Sequence, residues 1–265
     1  MKLTSSCHRF RGLTAVVIGG GSGLGKATCW RLASEGADRV VVADINSGAA
    51  EKVAEEIGSA GGSAEAVQVD VTQQDQVQQL FSGPGKEVDV LVNSAGTMWT
   101  KSFAMLQLAD VRETFGATCD GLLLAMQHAS QAMQQKPSDA ANKFAIVNIS
   151  STAALATMKG LTAYSAAKAT IRSLSRSAAV ELAPYNIRVN TILPHGTDTE
   201  GVRAFVANLP PEDVEFFTGP AGTPKLIPRA AQPEEIAAGI AFLASSDASF
   251  MTGSEIVMDG GFSIQ

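Results

Sequence analysis

The sequence predicts an α/β fold: a doubly wound, seven-stranded parallel sheet with helices on both faces, within a single domain spanning residues 1–265. Three observations predict it. Apolar, β-branched runs alternate with helix-period segments from one end of the chain to the other. A glycine-rich turn directly follows the first of these runs and opens a helix. The 265 residues, 45% hydrophobic and 17% charged, suit one layered core and exclude a disordered, collagenous or coiled-coil chain.

The elements follow in order. A strand at Thr14 to Ile18 runs into Gly19-Gly-Gly-Ser-Gly-Leu-Gly25, which opens a helix over 23–36. A strand at Val40 to Ala43, a helix over 47–60 and a strand at Ala64 to Val69 come next. Thr72 and Asp75 form a capping-box pattern for a helix over 73–81, and a strand follows at Val88 to Val92. One long helix is predicted over 102–135, then a strand at Phe144 to Ile149, a helix over 162–183 and a strand at Ile187 to Ile192. Pro233 at a first-turn position beside Glu234 and Glu235 starts a helix over 233–245, and Glu255 to Met258 is the last strand. The remaining stretch, His195 to Gln232, carries Pro210, Pro211, Pro220, Pro224 and Pro228; at that length it reads as a functional flap, a substrate lid over 195–232. No repeat and no linker of low complexity interrupts this order.

Charge and cysteine usage exclude several classes. Twenty Lys+Arg against 26 Asp+Glu leave a net charge of −6, so no basic field exists to hold nucleic acid. Cys7, Cys29 and Cys119 are scattered, without CxxC or Cys/His spacing, which predicts no metal site and a reducing, cytoplasmic location. Cys29 and Cys119 fall in apolar helical stretches and read as small buried hydrophobes. No apolar run approaches the roughly 18 residues of a membrane span, and residues 1–12 hold no signal-peptide core. Lys2, His8, Arg9 and Arg11 with Ser5 and Ser6 faintly resemble a transit peptide, in too short a stretch to carry weight.

The glycine turn is a phosphate cradle by its context. Gly19 lets the chain turn, Gly23 lets backbone N–H groups approach a pyrophosphate, and Gly25 permits close helix contact, while the helix N-terminus supplies partial positive charge. Asp44 ends the second strand, 19 residues after Gly25, where a carboxylate accepts hydrogen bonds from both hydroxyls of an adenosine ribose and repels a 2′-phosphate. Ile45 and Asn46 follow it and Ser22 occupies the turn, with no basic residue among them, so the pattern favours NAD over NADP. Asp44 serves equally well as an N-cap for the helix starting near Ser47. Asp70 and Asn93 end the third and fourth strands at the carboxyl edge, as ligand contacts or as turn-formers, and Asn93-Ser-Ala-Gly96 lets a flat group pass close to backbone.

Tyr164 and Lys168 are four residues apart and project from one helix face. Bringing a tyrosine from its ordinary pKa near 10 to about 7 takes roughly 4 kcal/mol of phenolate stabilisation. A nearby ammonium shielded from water supplies much of it, so Lys168 is expected to lower the Tyr164 pKa. An amphipathic helix with a core tyrosine and a surface lysine gives the same spacing. Ser151 at the end of the fifth strand, where catalytic groups face a cofactor, tips the balance.

With these elements the chain resembles the short-chain dehydrogenase/reductase family: the Gly19 to Gly25 turn, Asp44, Asp70, Asn93 to Gly96, Ser151 thirteen residues before Tyr164, Lys168, and the closing Thr252-Gly-Ser-Glu-Ile-Val-Met-Asp-Gly-Gly261 span essentially its whole length. The resemblance implies a Rossmann-type fold and an NAD(P)-dependent enzyme acting on CH–OH groups. Tyr164 would be the acid/base, Ser151 would hold the reacting oxygen, and Lys168 would bind nicotinamide ribose and depress the Tyr164 pKa. Ser150 is the alternative to Ser151. Cofactor contacts would comprise Gly19, Ser22, Gly23, Leu24, Gly25, Asp44, Ile45, Asp70, Val71, Asn93, Ala95, Gly96, Tyr164, Lys168, Pro194, Thr197 and Thr199. The resemblance also implies a homo-oligomer, a tetramer or dimer.

The chain departs from the family pattern at several points. Ile18 stands where the family has Thr, Thr118 stands where it has Asn three residues before the glycine matched to Gly121, and Pro194-His195-Gly196 replaces Pro-Gly. The span from Asp70 to Asn93 is about one helical turn shorter, near Gly83-Pro-Gly85. His195 is either a substrate-contacting group or an exposed loop histidine. Ser151, Met158 and His195 are the substrate-binding candidates, within a pocket that Met98, Trp99, Leu155, Phe205, Phe216 and Phe217 also line. Glu200, Glu212, Asp213 and Glu215 in the lid disfavour a phosphorylated or carrier-bound substrate. The expected substrate is a small hydrophobic secondary alcohol or ketone. The competing readings are an NADPH-dependent ketoacyl reductase, which needs a basic residue near Ser22 or Ile45, a sugar-nucleotide epimerase, which needs a longer chain, and a cofactor-binding regulator without catalysis.

Overall fold

The computed structural model describes residues 8–136, 144–209, 213–214, 217 and 225–264. Of the positions singled out in the sequence, Lys2, Ser5, Ser6, Cys7, Pro210, Pro211, Glu212, Glu215, Phe216, Pro220 and Pro224 lie outside the described residues. The strands are β1 (Thr14–Ile18), β2 (Arg39–Asp44), β3 (Ala64–Gln68), β4 (Val90–Asn93), β5 (Phe144–Ile149), β6 (Ile187–Pro194) and β7 (Glu255–Met258). The helices are α1 (Gly23–Ser34), α2 (Ser47–Ser59), α3 (Gln74–Ser82), α4 (Leu108–Phe115), α5 (Gly121–Gln134), α6 (Thr162–Leu182), α7 (Glu200–Ala207) and α8 (Pro233–Ala244).

All seven strands pair in parallel in the order β3-β2-β1-β4-β5-β6-β7. Side chains alternate along a strand, so each run of Val, Ile and Ala feeds two cores at once. Val16, Ile18, Val41 and Leu91 pack with α3, α5 and α6 on one face. Ala15, Val17, Val40 and Val92 pack with α1, α2 and α8 on the other. The order reverses between β1 and β4, which opens a crevice at their carboxyl ends. Cys29 and Cys119 are buried free thiols, as expected. Among the described residues no helix is long and apolar enough to cross a membrane.

Three predicted elements come out differently. The helix expected over 102–135 is broken into a 3₁₀ turn at Phe103–Met105, α4, a π-turn at Gly116–Asp120 and α5. Gln107 and Asp110 cap α4 reciprocally, which starts the helix only there. Gly121 lies so close to the chain after β3 that a Cβ on it would stand 2.6 Å from Val71 Cγ2, and the π-turn lets the helix make that approach. The capping box of Thr72 with Asp75 does not form: α3 starts at Gln74, and the Thr72 N–H and hydroxyl both donate to Asp70 Oδ1, at 2.9 and 2.8 Å. The flap read as irregular contains α7, capped by Thr199 Oγ1 accepting from Val202 N at 3.2 Å. The α8 start is as expected, with Pro233 in the first turn and a capping box of Gln232 with Glu235.

One buried cation holds α8 to the sheet. Arg188 on β6 is 3% exposed; its guanidinium donates to Leu243 O and Ser245 O at 2.9 Å each, with longer bonds to Ala244 O and Met251 O. It therefore satisfies carbonyls that the end of α8 leaves open. Replacing Arg188 by Met strands several buried acceptors, and we expect a loss of about 3 kcal/mol in urea denaturation followed by circular dichroism.

Candidate active site

The carboxyl ends of β1, β2, β4, β5 and β6 open into one cleft of about 780 Å³. Every residue proposed from the sequence as a cofactor contact lines it except Gly25 and Asn93. A Cβ on Gly25 would stand 1.9 Å from Gly19 O, so this glycine serves the close approach of helix and turn. Asn93 is buried behind the wall, where its Nδ2 donates to Asn148 Oδ1 at 2.8 Å.

Backbone bonds set the turn. Gly19 N and Gly20 N donate to Ala43 O at 2.8 and 3.1 Å, and Gly21 N donates to Asp44 Oδ2 at 2.9 Å. Asp44 Oδ1 accepts from Asn46 N at 2.9 Å. The cap of α2 is Asn46, whose Oδ1 accepts from Ala49 N at 3.1 Å, so Asp44 is not the N-cap. Each Asp44 oxygen retains acceptor capacity toward the cleft. Glycine cradle, helix N-terminus and a carboxylate with lone pairs to spare fit a nicotinamide dinucleotide.

At the other end of the cleft, α6 presents Tyr164 and Lys168. Lys168 Nζ donates to Ile149 O at 2.9 Å and lies 5.7 Å from the Tyr164 ring centroid. Burial pushes its pKa down to about 8. The Ser151 side chain lies near enough to Tyr164 to lower its pKa, and Ser151 Oγ accepts from Ala153 N at 3.1 Å. Ser150 is otherwise engaged: its hydroxyl donates to Lys168 O at 2.7 Å. The expected acidification of Tyr164 by Lys168 is not seen in the chain by itself. Burial raises the phenol pKa, Ser151 lowers it less, and the ammonium is directed at a carbonyl instead.

His195 is a buried residue and not an exposed loop histidine. It stacks on Phe262 with ring centroids 3.8 Å apart, and its Nδ1 lies 2.9 Å from Thr152 Oγ1. Burial, then Lys225, pushes its pKa down to about 4, so the imidazole is neutral at pH 7. Met98, Met158, Phe205 and Phe217 line the cleft as proposed, whereas Trp99 and Leu155 do not. Nor do the described lid acids: Glu200 is exposed in the first turn of α7, and Asp213 pairs with Lys159 at 3.2 Å. Two features, Lys225 in the cleft and Thr118 behind its wall, escaped the sequence reading. Lys225 follows a proline in an aperiodic stretch and gives no pattern to find. Thr118 was weighed as a departure only, but its buried Oγ1 has no partner among the described residues and borders, with Lys168 Nζ, the space that a Cβ on Gly96 would fill.

A family model described as enoyl-(acyl carrier protein) reductase matches residues 19–263. The chain is 41% identical over 252 residues to the cis-4-hydroxycyclohexanecarboxylate dehydrogenase of Sinomonas cyclohexanicum, covering 94% of this chain and 95% of that protein. It is 32% identical over 250 residues to the cyclopentanol dehydrogenase of Comamonas testosteroni, covering 93% and 95%. The crystal structure of a short-chain type dehydrogenase/reductase from Mycobacterium marinum superposes with a TM-score of 0.86 at 29% identity, covering 97% of this chain and 98% of that one.

The depressed Lys168 pKa fixes a sign. Between about 8 and the ordinary lysine value near 10.4 the unfolded chain binds more protons than the folded one, so this group makes stability rise with pH there. From pH 8 to 9.5 the wild-type chain should gain about 1.5 kcal/mol relative to Lys168→Met, read from paired urea titrations without cofactor.

Proposed function

The chain belongs to the short-chain dehydrogenase/reductase family, and on that premise we propose that it interconverts an alicyclic secondary alcohol and its ketone, with NAD as the preferred cofactor and Tyr164 as the acid/base. As a member of the family it is an oxidoreductase acting on CH–OH groups with a nicotinamide cofactor. The observation that carries the mechanistic reading is the meeting of Ser151, Tyr164 and buried Lys168 in the cleft that also holds the glycine turn and Asp44. The alicyclic substrate class is taken from the relatives, which act on a hydroxycyclohexanecarboxylate and on cyclopentanol.

When bound, oxidised nicotinamide supplies a hydride acceptor and a positive charge. In the oxidising direction Tyr164 takes the carbinol proton, and in the reducing direction it returns a proton to the same oxygen. Ser151 holds that oxygen with its hydroxyl, which lies close to Tyr164. Lys168, buried in the cleft wall and bound to Ile149 O, places a poorly screened positive charge near the nicotinamide ribose end of the cleft without lowering the Tyr164 pKa in the chain alone. Because burial raises the Tyr164 pKa in the chain alone, the phenol is protonated until further positive charge arrives.

Asp44 supports NAD: its carboxylate faces the place of the adenosine ribose, and no lysine or arginine near it lines the cleft. Lys26, the basic residue of the turn helix, is paired with Glu56 at 2.8 Å. Those facts disfavour the NADPH-dependent ketoacyl reductase. The 195–232 segment acts as the substrate lid in this reading, with Phe205 edge-on to Phe217 at 5.3 Å over the cleft. A cytoplasmic homo-oligomer completes it, and exposed Phe103, Met105 and Leu108 offer apolar surface for subunit contact.

Tyr164→Phe should lower kcat on cyclohexanol by roughly 10²- to 10⁴-fold while NADH binding, followed by fluorescence, persists. Full activity in that variant would sink the acid/base assignment. In the same titration wild-type protein should bind NADH more than about tenfold tighter than NADPH, and Asp44→Ala should abolish the preference. Tighter NADPH binding by the wild type would defeat the reading of Asp44.

A further inference from the structure

One cation of the cleft has no acceptor worthy of its burial. Lys225 lines the cleft, and its only hydrogen bond among the described residues is a long one, 3.4 Å, to Arg229 O. Among the described residues no carboxylate lies within ion-pair distance of it. The chain nevertheless makes room for this ammonium. Gly196 has φ +47°, and a Cβ there would stand 2.9 Å from Lys225 Nζ. A Cβ on Gly260 would stand 3.7 Å from Lys225 Cβ, so the side chain is fixed between the ends of β6 and β7.

The other charges of the cleft do not answer it. Lys168 is committed to Ile149 O. Asp44 lies at the end of β2, four strands away from β6 in the sheet order, or roughly 19 Å at ordinary strand spacing. The place for a pyrophosphate, at the end of β1, is three strands away, roughly 14 Å. Asp259, which acts on His195 from the other side, accepts from Gly261 N and Ser263 N at 2.9 and 2.8 Å and does not line the cleft. The cleft that Lys225 and Tyr164 share is also lined by Met158, Leu161, Phe205 and Phe217, with neutral His195 beside Gly196. An ammonium half-withdrawn from water beside an apolar wall is stabilised by an anion on the ligand.

We infer that the substrate is an alicyclic secondary alcohol bearing a carboxylate, its hydroxyl placed at Tyr164 and Ser151, its ring against the Met158 and Phe205 wall, and its carboxylate received by Lys225. The inference rests on the alcohol dehydrogenase reading above and adds to it the anionic group. Lys225 is then a specificity-determining residue, which touches a part of the substrate remote from the reacting carbon.

The test compares 4-hydroxycyclohexanecarboxylate with its neutral carboxamide, and measures cyclohexanecarboxylate binding to the NADH complex by calorimetry. Wild-type enzyme should favour the acid by about tenfold or more in kcat/KM, mainly through KM, and Lys225→Met should bring that ratio near one. Lys225→Arg should restore most of the preference, because it returns the charge. Cyclohexanecarboxylate should bind the wild-type complex about tenfold more tightly than the Lys225→Met complex. Equal use of acid and carboxamide by the wild type, or equal carboxylate binding by wild type and Lys225→Met, overturns the inference and leaves the alcohol dehydrogenase standing. Failure of the wild type to oxidise either compound, or cyclohexanol, removes the dehydrogenase reading and this inference with it.

Discussion

The site depends on two hydrogen bonds that run in opposite directions between the end of β5 and α6. Lys168 Nζ donates outward from the helix to Ile149 O, and the Ser150 hydroxyl donates from the strand end to Lys168 O. A single bond would leave the helix free to roll or slide; the pair fixes both its rotation and its height. Both serines just past β5 line the cleft, and the tie decides which hydroxyl is spent. Ser150 is spent on the helix backbone, and Ser151 is thereby delivered to Tyr164. The carbonyl that anchors the ammonium also explains how a lysine survives at 6% exposure without a carboxylate, at the cost of a lowered pKa.

Charge along the cleft follows the order of the sheet. Asp44 and Asp70 lie at the β2 and β3 end, whereas Lys168 and Lys225 lie at the β5 to β7 end. In a medium that screens poorly, such a division orients a ligand before any close contact forms. The division suits a hydroxyl-rich group at the carboxylate end and an electron-rich group at the ammonium end. The same division accounts for the direction of the phenol pKa. Tyr164 is withdrawn from water and its nearby Lys168 is turned to a carbonyl, so burial outweighs what Ser151 offers a phenolate. Ligands must therefore complete the charge balance on which proton transfer depends.

The sheet was legible because central parallel strands are buried on both faces and read as unbroken apolar runs such as Ala15 to Ile18 and Val40 to Ala43. The glycine turn and the Tyr164 to Lys168 spacing were legible for a local reason, since each is fixed within one turn or one helix. What stayed hidden depends on contacts between distant segments. Residues 102–135 keep a helical period throughout, and only Val71 pressing on Gly121 shows where the coil must widen. Thr72 and Asp75 have the spacing of a cap, but Asp70 captures Thr72 first. His195 sits in a loop by sequence, and its burial follows from Phe262, 67 positions later. Lys225 belongs to a stretch without period, and its position is set by Gly196 and Gly260 together.

The π-turn also explains why the departure at position 118 keeps the site polar. Thr118 is carried by that turn, is 1% exposed, and lies with Lys168 around Gly96: a Cβ on that glycine would stand 3.5 Å from Thr118 Oγ1 and 3.6 Å from Lys168 Nζ. Gly96 thus leaves open a space that both a hydroxyl and an ammonium border. The family's asparagine offers a carbonyl oxygen and two donors there, whereas threonine offers one donor and its oxygen lone pairs. The substitution keeps an acceptor at that position and removes one donor. A buried hydroxyl left without a partner is costly in an apolar core, and Thr118 Oγ1 is such a group among the described residues. The chain retains it on the far side of Gly96 from solvent, one residue after the cleft-lining Ala117.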